Sequence, residues 1–443
     1  MLAENNTVGL REFCGALHPA RTAEFMDGLS PADAWRVLRC ADLVTRTEVY
    51  GFFDLEKQIA IVETSDRAEI GRLIADLPPD DRVDLLREVE PTVVEELMAL
   101  VPLEERRDIQ CLGSYAEETA GGLMTTEFAS LPETLNACEA LEELGRQAEN
   151  LETIYYIYIV DDEEHLRGTV SARQLVSHLS KPDVTIGQFM ERDLVTVHDN
   201  DDQEAVADRV ARYDLLAIPV VDHEHHILGI ITHDDVIDIV REEAVEDALR
   251  IAAVEPFEAG YLDTHLMTLT WHRAIWLVIL CVGAVLTAFA LESYDEELHT
   301  VKWLILFLPL VISCGGNVGN QSATLIITSL TSGNITLGDW WRVVWRELLM
   351  GICLGGLLAL IGYAAAYVLI DGFVWFDAIV LPITLLAVVV CGALLGALLP
   401  LLFRRLGLDP AMMSSPFIAG IIDIVGIIIY MTVARAVLPQ LLS

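Results

Sequence analysis

The sequence predicts a multidomain chain: an all-α helical-repeat N domain, an α/β tandem-repeat module, and an α-helical membrane domain of five transmembrane helices. Three observations predict it. Short amphipathic segments separated by cues such as Leu29-Ser30-Pro31 and Leu77-Pro78-Pro79-Asp80 fill the first quarter. A strand–turn–strand–helix unit recurs at an offset of 61 residues in the middle. Stretches apolar and long enough to cross a bilayer, about 20 residues each, fill the last part.

The helical region, 1–118, has apolar residues at three- and four-residue spacing, as one face of a helix requires. Pro at a first helical turn followed by acids marks a helix start. Units such as Glu95-Glu96-Leu97-Met98-Ala99-Leu100-Val101-Pro102 read as stacked helical hairpins. The N-terminus shows no signal-peptide pattern, because no apolar run follows Met1.

Residues 119–245 hold the repeat. Ile157-Tyr158-Ile159-Val160-Asp161, then Leu166-Arg167-Gly168-Thr169-Val170-Ser171, precedes a helix from Ala172. Ile218-Pro219-Val220-Val221-Asp222, then Ile227-Leu228-Gly229-Ile230-Ile231-Thr232, precedes a helix from His233. Each copy is a strand, an Asp-headed turn, a strand with an entering Gly, and a Ser/Thr-capped helix. Met124 and Met190 begin the copies at the longer offset of 66, so the first carries extra residues. The pair resembles two CBS (cystathionine β-synthase type) domains, a module that senses small ligands. The resemblance implies a nucleotide cleft, for ATP or another adenine nucleotide, at Thr232 and Asp235. The first copy lacks the equivalent Asp. Asp222-His223-Glu224-His225-His226 falls in a hairpin turn and has Ile227 where a zinc helix needs its second His, so no catalytic metal is expected there.

Of 28 basic and 67 acidic residues, 7 and 13 lie in 251–443, leaving 21 and 54 in the soluble half. Such a balance repels nucleic acid and attracts cations. From Asp234 onward acids recur at helical spacing through Asp235, Asp238, Glu242, Glu243, Glu246 and Asp247. A solvated helix face is one reading. A row of oxygen ligands for a hard cation is the other. Residues 246–272 are expected to form an acidic connecting (plug) helix that leads to the membrane domain, 273–443. The eight cysteines include no C-x-x-C pair and are expected as reduced thiols.

Spans are expected near 274–291, 303–328, 347–370, 379–403 and 414–437. Arg273, Arg342 with Arg346, and Arg404 with Arg405 alternate with the acidic flanks Glu292–Glu297 and Asp371–Asp377. The positive-inside rule then places the N-terminal half in the cytoplasm and the C-terminus outside, in the cell's inner (plasma) membrane. The second span carries Gly315-Gly316-Asn317-Val318-Gly319-Asn320-Gln321-Ser322. Close helix packing explains the glycines. A hydrated pathway lined by Asn317, Gly319 and Asn320 better explains the amides. Gly351 with Gly355, and Gly392 with Gly396, read as packing. The last span holds Asp423 among isoleucines, at a cost of about 2.5–3.5 kcal/mol for an ionised Asp at mid-bilayer. Arg435 is the nearest base downstream, twelve residues or about 18 Å along a helix. A protonated Asp in a helix contact is one reading. A cation site in a polar pathway is the sharper one.

These residues together resemble the MgtE family of magnesium channels, across nearly the whole chain. The most specific elements are Gly315–Thr324, Leu408-Asp409-Pro410, Pro416-Phe417 and Asp423. The resemblance implies a homodimer in the lipid bilayer with its pore between subunits. It implies Asp423 as the Mg2+ selectivity residue, with the carbonyl of Ala419 lining the same site. It also implies regulatory Mg2+ on Glu204, Asp214, Asp235, Asp238, Glu243, Glu246 and Asp247, with Asp409 at the inner mouth and Asp80 and Asp84 from the N domain. The function implied is Mg2+ influx, closed by intracellular Mg2+, with no enzymatic activity. An exporter, a broader Mn2+ or Co2+ transporter, and a CBS-regulated membrane enzyme are the alternatives.

Overall fold

The computed structural model describes residues 6–148, 151–257, 261, 264–369, 377–413 and 415–441. Two compact units emerge, Met1–Arg241 and Glu242–Ser443.

The first unit opens with short helices: α1 (Thr7–Ala16), α2 (Pro19–Met26), α3 (Pro31–Leu38), α4 (Leu43–Gly51) and α5 (Leu55–Thr64). They continue as α6 (Arg67–Asp76), α7 (Pro79–Glu88), α8 (Pro91–Met98) and α9 (Leu103–Leu112). Most pack on the helix two places along, which builds a solenoid. Asp and Ser side chains cap the starts, as Ser30, Asp42, Asp54 and Asp66 do. Lys57, buried, donates from Nζ to the carbonyl oxygens of Met26 (2.7 Å) and Asp27 (3.1 Å), closing the end of α2.

After α10 (Ala120–Leu123) come the two copies. The first is β1 (Phe128–Pro132), α11 (Ala137–Gln147), β2 (Thr153–Val160), β3 (Leu166–Ser171) and α12 (Ala172–His178). The second is β4 (Val197–His198), α13 (Gln203–Tyr213), β5 (Ala217–Val221), β6 (Ile227–Thr232) and α14 (His233–Ile251). Both sheets pair a parallel strand with an antiparallel hairpin, in the orders β1-β2-β3 and β4-β5-β6. Ser171 caps α12, as the motif predicts. The repeat glycines explain each other. A Cβ on Gly168 would lie 2.7 Å from Sδ of Met190, and one on Gly229 would lie 2.9 Å from Cγ of Met124. Each copy's glycine therefore receives the other copy's methionine. The hairpin turns meet as well: the His165 and His226 rings stack at 4.4 Å, and Asp222 accepts from the backbone N–H groups of Glu224 and His226. The histidine-rich segment is thus an Asx-type turn.

In the second unit, among the described residues, five helices are long and apolar enough to cross a membrane. They are α15 (Leu266–Glu292), α17 (Trp303–Thr331), α18 (Trp340–Leu369), α19 (Val380–Arg405) and α20 (Ser415–Val437). A short α16 (Asp295–Thr300) follows α15. Asp371 of the expected acidic flank lies outside the described residues. The expected single connecting helix over 246–272 is corrected. Its start is the end of α14, which stops at Ile251, and its last residues open α15. Ala253 takes a left-handed φ of 58°, and Pro256 disfavours helix at Glu255.

Helices α17, α18, α19 and α20 form the packed core, while α15 has no buried residue and lies against α20. Backbones approach closely through glycine. A Cβ on Gly396 would lie 2.2 Å from the Gly319 carbonyl oxygen, and one on Gly392 would lie 2.6 Å from that of Gly315. Gly396→Ala should therefore force α17 and α19 apart and cost about 1–3 kcal/mol. The melting temperature in detergent checks it, with Gly356→Ala, which meets nothing within 4 Å, as the neutral comparison.

Candidate ion pathway and acidic sensor

Asp423 projects from the middle of α20, half-buried, and makes no hydrogen bond or ion pair among the described residues. Arg435 is unavailable to it, because its guanidinium binds Glu297 and lies over the Tyr294 ring. Across from Asp423 stands Gly316 of α17. A Cβ there would lie 3.8 Å from Oδ1 of Asp423 and 3.6 Å from Cβ of Ala419. The bare glycine leaves space beside the carboxylate, and Ala419, one turn earlier and half-buried, borders the same space. Asn320 is one turn from Gly316 on the same face of α17. Its Oδ1 is buried with no partner. Asn317 is exposed, donating from Nδ2 to Oγ of Ser313 at 3.3 Å.

Gly319 departs from the pore-lining expectation. It is buried inside the protomer, where a Cβ would strike Cδ1 of Ile422 at 2.1 Å and approach the Gly392 carbonyl. Packing three helices, not lining a channel, requires glycine there. A second intramembrane carboxylate was missed in the sequence. Glu347 of α18 accepts a 2.7 Å hydrogen bond from the buried Ser322 of α17. The expected span began at Glu347 itself, which made it look like an end residue.

The last turns of α14 form a second cluster. Asp409 accepts from the Ala411 N–H at 2.8 Å and from Nη1 of Arg250 at 2.5 Å, and Arg250 also pairs with Glu246. The expected ligands Asp409 and Glu246 are thus already bridged by a guanidinium. Burial first, then Asp409 and Glu243, push the Asp247 carboxyl up to about 6, against the opposing pull of Arg250. Arg250 was not singled out from the sequence, where it is one base at the end of an acidic run.

The third cluster lies in the first unit. Asp80 and Asp81 sit in the first turn of α7, Asp234 and Asp235 in the first turn of α14, and Glu152 just before β2. Oδ1 of Asp80 is buried without a partner. Burial and then its acidic neighbours, Asp81 and Asp235 foremost, raise Asp80 well above the ordinary carboxylate range. Asp81 and Glu152 are exposed. Surrounding protein and Asp235 still push them up to about 6 and about 7. Asp235 is raised mainly by burial, although Thr232 donates its hydroxyl to it at 2.6 Å. That bond occupies one oxygen of the expected nucleotide-cleft Asp.

Of the other expected ligands, Asp84 and Asp238 border the third cluster, where their charges help to raise Asp81 and Asp235. Asp84 pairs with Arg87 at 3.1 Å, and Asp238 lies 3.5 Å from Arg241. Asp214 is an exposed left-handed cap of α13 at φ 52°, and Glu204 lies in that helix's first turn. Among the described residues, no three His, Cys, Asp or Glu side chains are arranged to hold a metal directly. A cation that keeps its water shell needs no such direct arrangement and can be held by carboxylates that face it through water.

Their raised titration has a defined sign. Between about pH 4.5 and 7 the folded form binds more protons at Asp81 and Glu152 than the unfolded chain does. Stability is therefore full at low pH and lost as pH rises through 6–7. Melting in chelator should strengthen from pH 8 to pH 5, and a divalent cation at pH 8 should recover the difference. A flat profile would mean that these carboxylates are already neutralised.

Comparison with known proteins shows the family and the domain order. Residues 308–433 match the family model described as a divalent cation transporter, MgtE. Residues 17–118 match the MgtE intracellular N domain, and 120–181 and 186–242 match CBS domains. The chain is 35% identical to the magnesium transporter MgtE of Thermus thermophilus, over 99% of this chain and 97% of that one. It is 33% identical to the Enterococcus faecalis magnesium transporter MgtE, over 75% and 72%. The crystal structure of the cytosolic domain of the Mg2+ channel MgtE in complex with ATP is similar at TM-score 0.51 and 34% identity, covering 54% of this chain and 96% of that one.

Proposed function

The chain belongs to the MgtE family of divalent cation transporters, and on that premise we propose that it is a Mg2+ channel closed from the cytoplasm by the ion it admits. The observation that carries this reading is Asp423, an intramembrane carboxylate with no partner among the described residues, beside a gap kept open by Gly316. In a homodimer, two Asp423 side chains facing across the axis would hold Mg2+ through its waters, with the Ala419 carbonyls bordering the site. Asn320, with its unpartnered oxygen, extends that polar path.

Entry needs no chemical energy source, because the membrane potential favours each charge by about 2.3 kcal/mol per 100 mV. The multi-pass domain lies in the plasma membrane, with the arginine-flanked ends and the soluble half in the cytoplasm and the C-terminus outside. Closure follows from charge. Without Mg2+ the carboxylates of α7, α14 and Glu152 repel. With it, hydrated Mg2+ bridges them and α14 is held in place. The same helix carries Asp235 at one end and Asp247 twelve residues on, about 18 Å away. It therefore links the sensor carboxylates to those around Asp409. The ATP complex of the similar cytosolic domain supports an adenine nucleotide near Thr232.

Reconstitution in liposomes with a Mg2+-sensitive dye tests the reading. Mg2+ should enter down its gradient, exceed Mn2+, Co2+ and Ca2+, and stop when millimolar Mg2+ bathes the cytoplasmic face. Flux of Ca2+ equal to that of Mg2+, or flux indifferent to Mg2+ on that face, would overturn it.

A further inference from the structure

The first turns of α18 carry two parallel stripes. Arg342 and Arg346 are four residues apart and therefore share one helix face, and Trp341 and Trp345 form the stripe beside it. All four are exposed, the tryptophans at 60% and 54%. Helices α18 and α19 run antiparallel: a Cβ on Gly355 would meet Leu386, and one on Gly351 would meet Val390 and Ala393. The start of α18 and the end of α19 therefore lie at the same end of the hairpin. This brings the exposed Arg404 and Arg405 to that end too.

The chain has 67 acidic and 28 basic residues, yet Arg346, Arg404 and Arg405 make no ion pair among the described residues. Among the described residues Arg342 forms one ion pair, with Asp339 at 3.1 Å, at the start of its own segment. Arg346 is about 6 Å deeper than Arg342 along the helix, past the first tryptophan. A charge bias that orients a span needs basic residues near its end, but no such order. Guanidinium groups one turn apart, beside indoles that favour the headgroup level, match a phosphodiester with its glycerol backbone.

We propose that the start of α18, with the end of α19, is a binding site for the headgroup of an anionic glycerophospholipid. Arg342 and Arg346 grip the phosphate, Trp341 and Trp345 flank the glycerol and upper acyl region, and Arg404 and Arg405 add attraction from the solvent side. The proposal stands independently of the ion that the channel conducts.

The test uses the full chain in mild detergent, titrated with phosphatidylglycerol or phosphatidylcholine and followed by native mass spectrometry. Phosphatidylglycerol should be retained in preference to phosphatidylcholine. R342Q/R346Q should bind it about 30-fold more weakly, from about fivefold per basic residue near an anionic surface. R342K/R346K should keep the attraction but lose part of the affinity. Should R342Q/R346Q not fold, the exposed single change R346Q decides in the same way, with about a fivefold loss expected. Equal retention of the two lipids, or unchanged phosphatidylglycerol binding by the glutamine variant, overturns the proposal.

Discussion

Asp423→Ala should abolish Mg2+ entry into proteoliposomes, with flux falling at least about tenfold, since about 1.4 kcal/mol of lost site stabilisation already gives that factor. The structure makes this loss separable from misfolding. Among the described residues the carboxylate makes no hydrogen bond or ion pair, so its removal leaves none of them without a partner. Taking a costly polar group out of an apolar helix should leave the melting temperature unchanged or raise it. Lost flux with intact folding is the expected pair of results. Unchanged flux would move the selectivity site elsewhere, with Glu347 the next carboxylate to examine.

The second large effect concerns the gate. Asp235→Asn, Asp238→Asn and Asp247→Asn combined should leave the channel substantially open in millimolar cytoplasmic Mg2+. Turning a gate from 1:99 to 99:1 takes about 5.5 kcal/mol of differential binding. If each site contributes on the order of 1 kcal/mol, losing three leaves about 2.5 kcal/mol, and the closed fraction falls from about 99% to roughly 40%. The single variants should not be equal. Asp247 crowds Asp409 and Glu243, whereas Asp238 is exposed beside Arg241. Asp247→Asn should therefore shift closure more than Asp238→Asn. Flux measured against cytoplasmic Mg2+ gives the ranking, and closure at the wild-type concentration in the triple variant would remove the sensor from these residues.

Local patterns carried much of this architecture into the sequence. The offset of 61 residues announced two copies because each needs the same turn, glycine and cap. Five apolar runs announced five helices, and Asp423 stood out because its surroundings are uniformly apolar. Pairings across long sequence separations were not legible. Arg250 meets Asp409 across 159 positions, and nothing near either residue marks the other. Gly319 reads as pathway because it lies between the amides Asn317 and Asn320. Which way a glycine faces depends on helices 70 and 100 residues away, and it faces Gly392 and Ile422. The connecting helix breaks earlier than expected, at Ala253, where the backbone turns left-handed six residues after Asp247, the last acid of the run.

The contacts of Gly315 and Gly319 with Gly392 and Gly396 also have a mechanical meaning. Two helices joined backbone to backbone have no side chains between them to flex, so α17 and α19 form a stiff frame. By contrast, α20 meets that frame through the branched side chains of Ile418 and Ile422, and α15 has no buried residue. Of these spans α15 is therefore the one least tied to the frame. Asp423 thus sits on the helix that packs both against the stiff pair and against the loosely held α15.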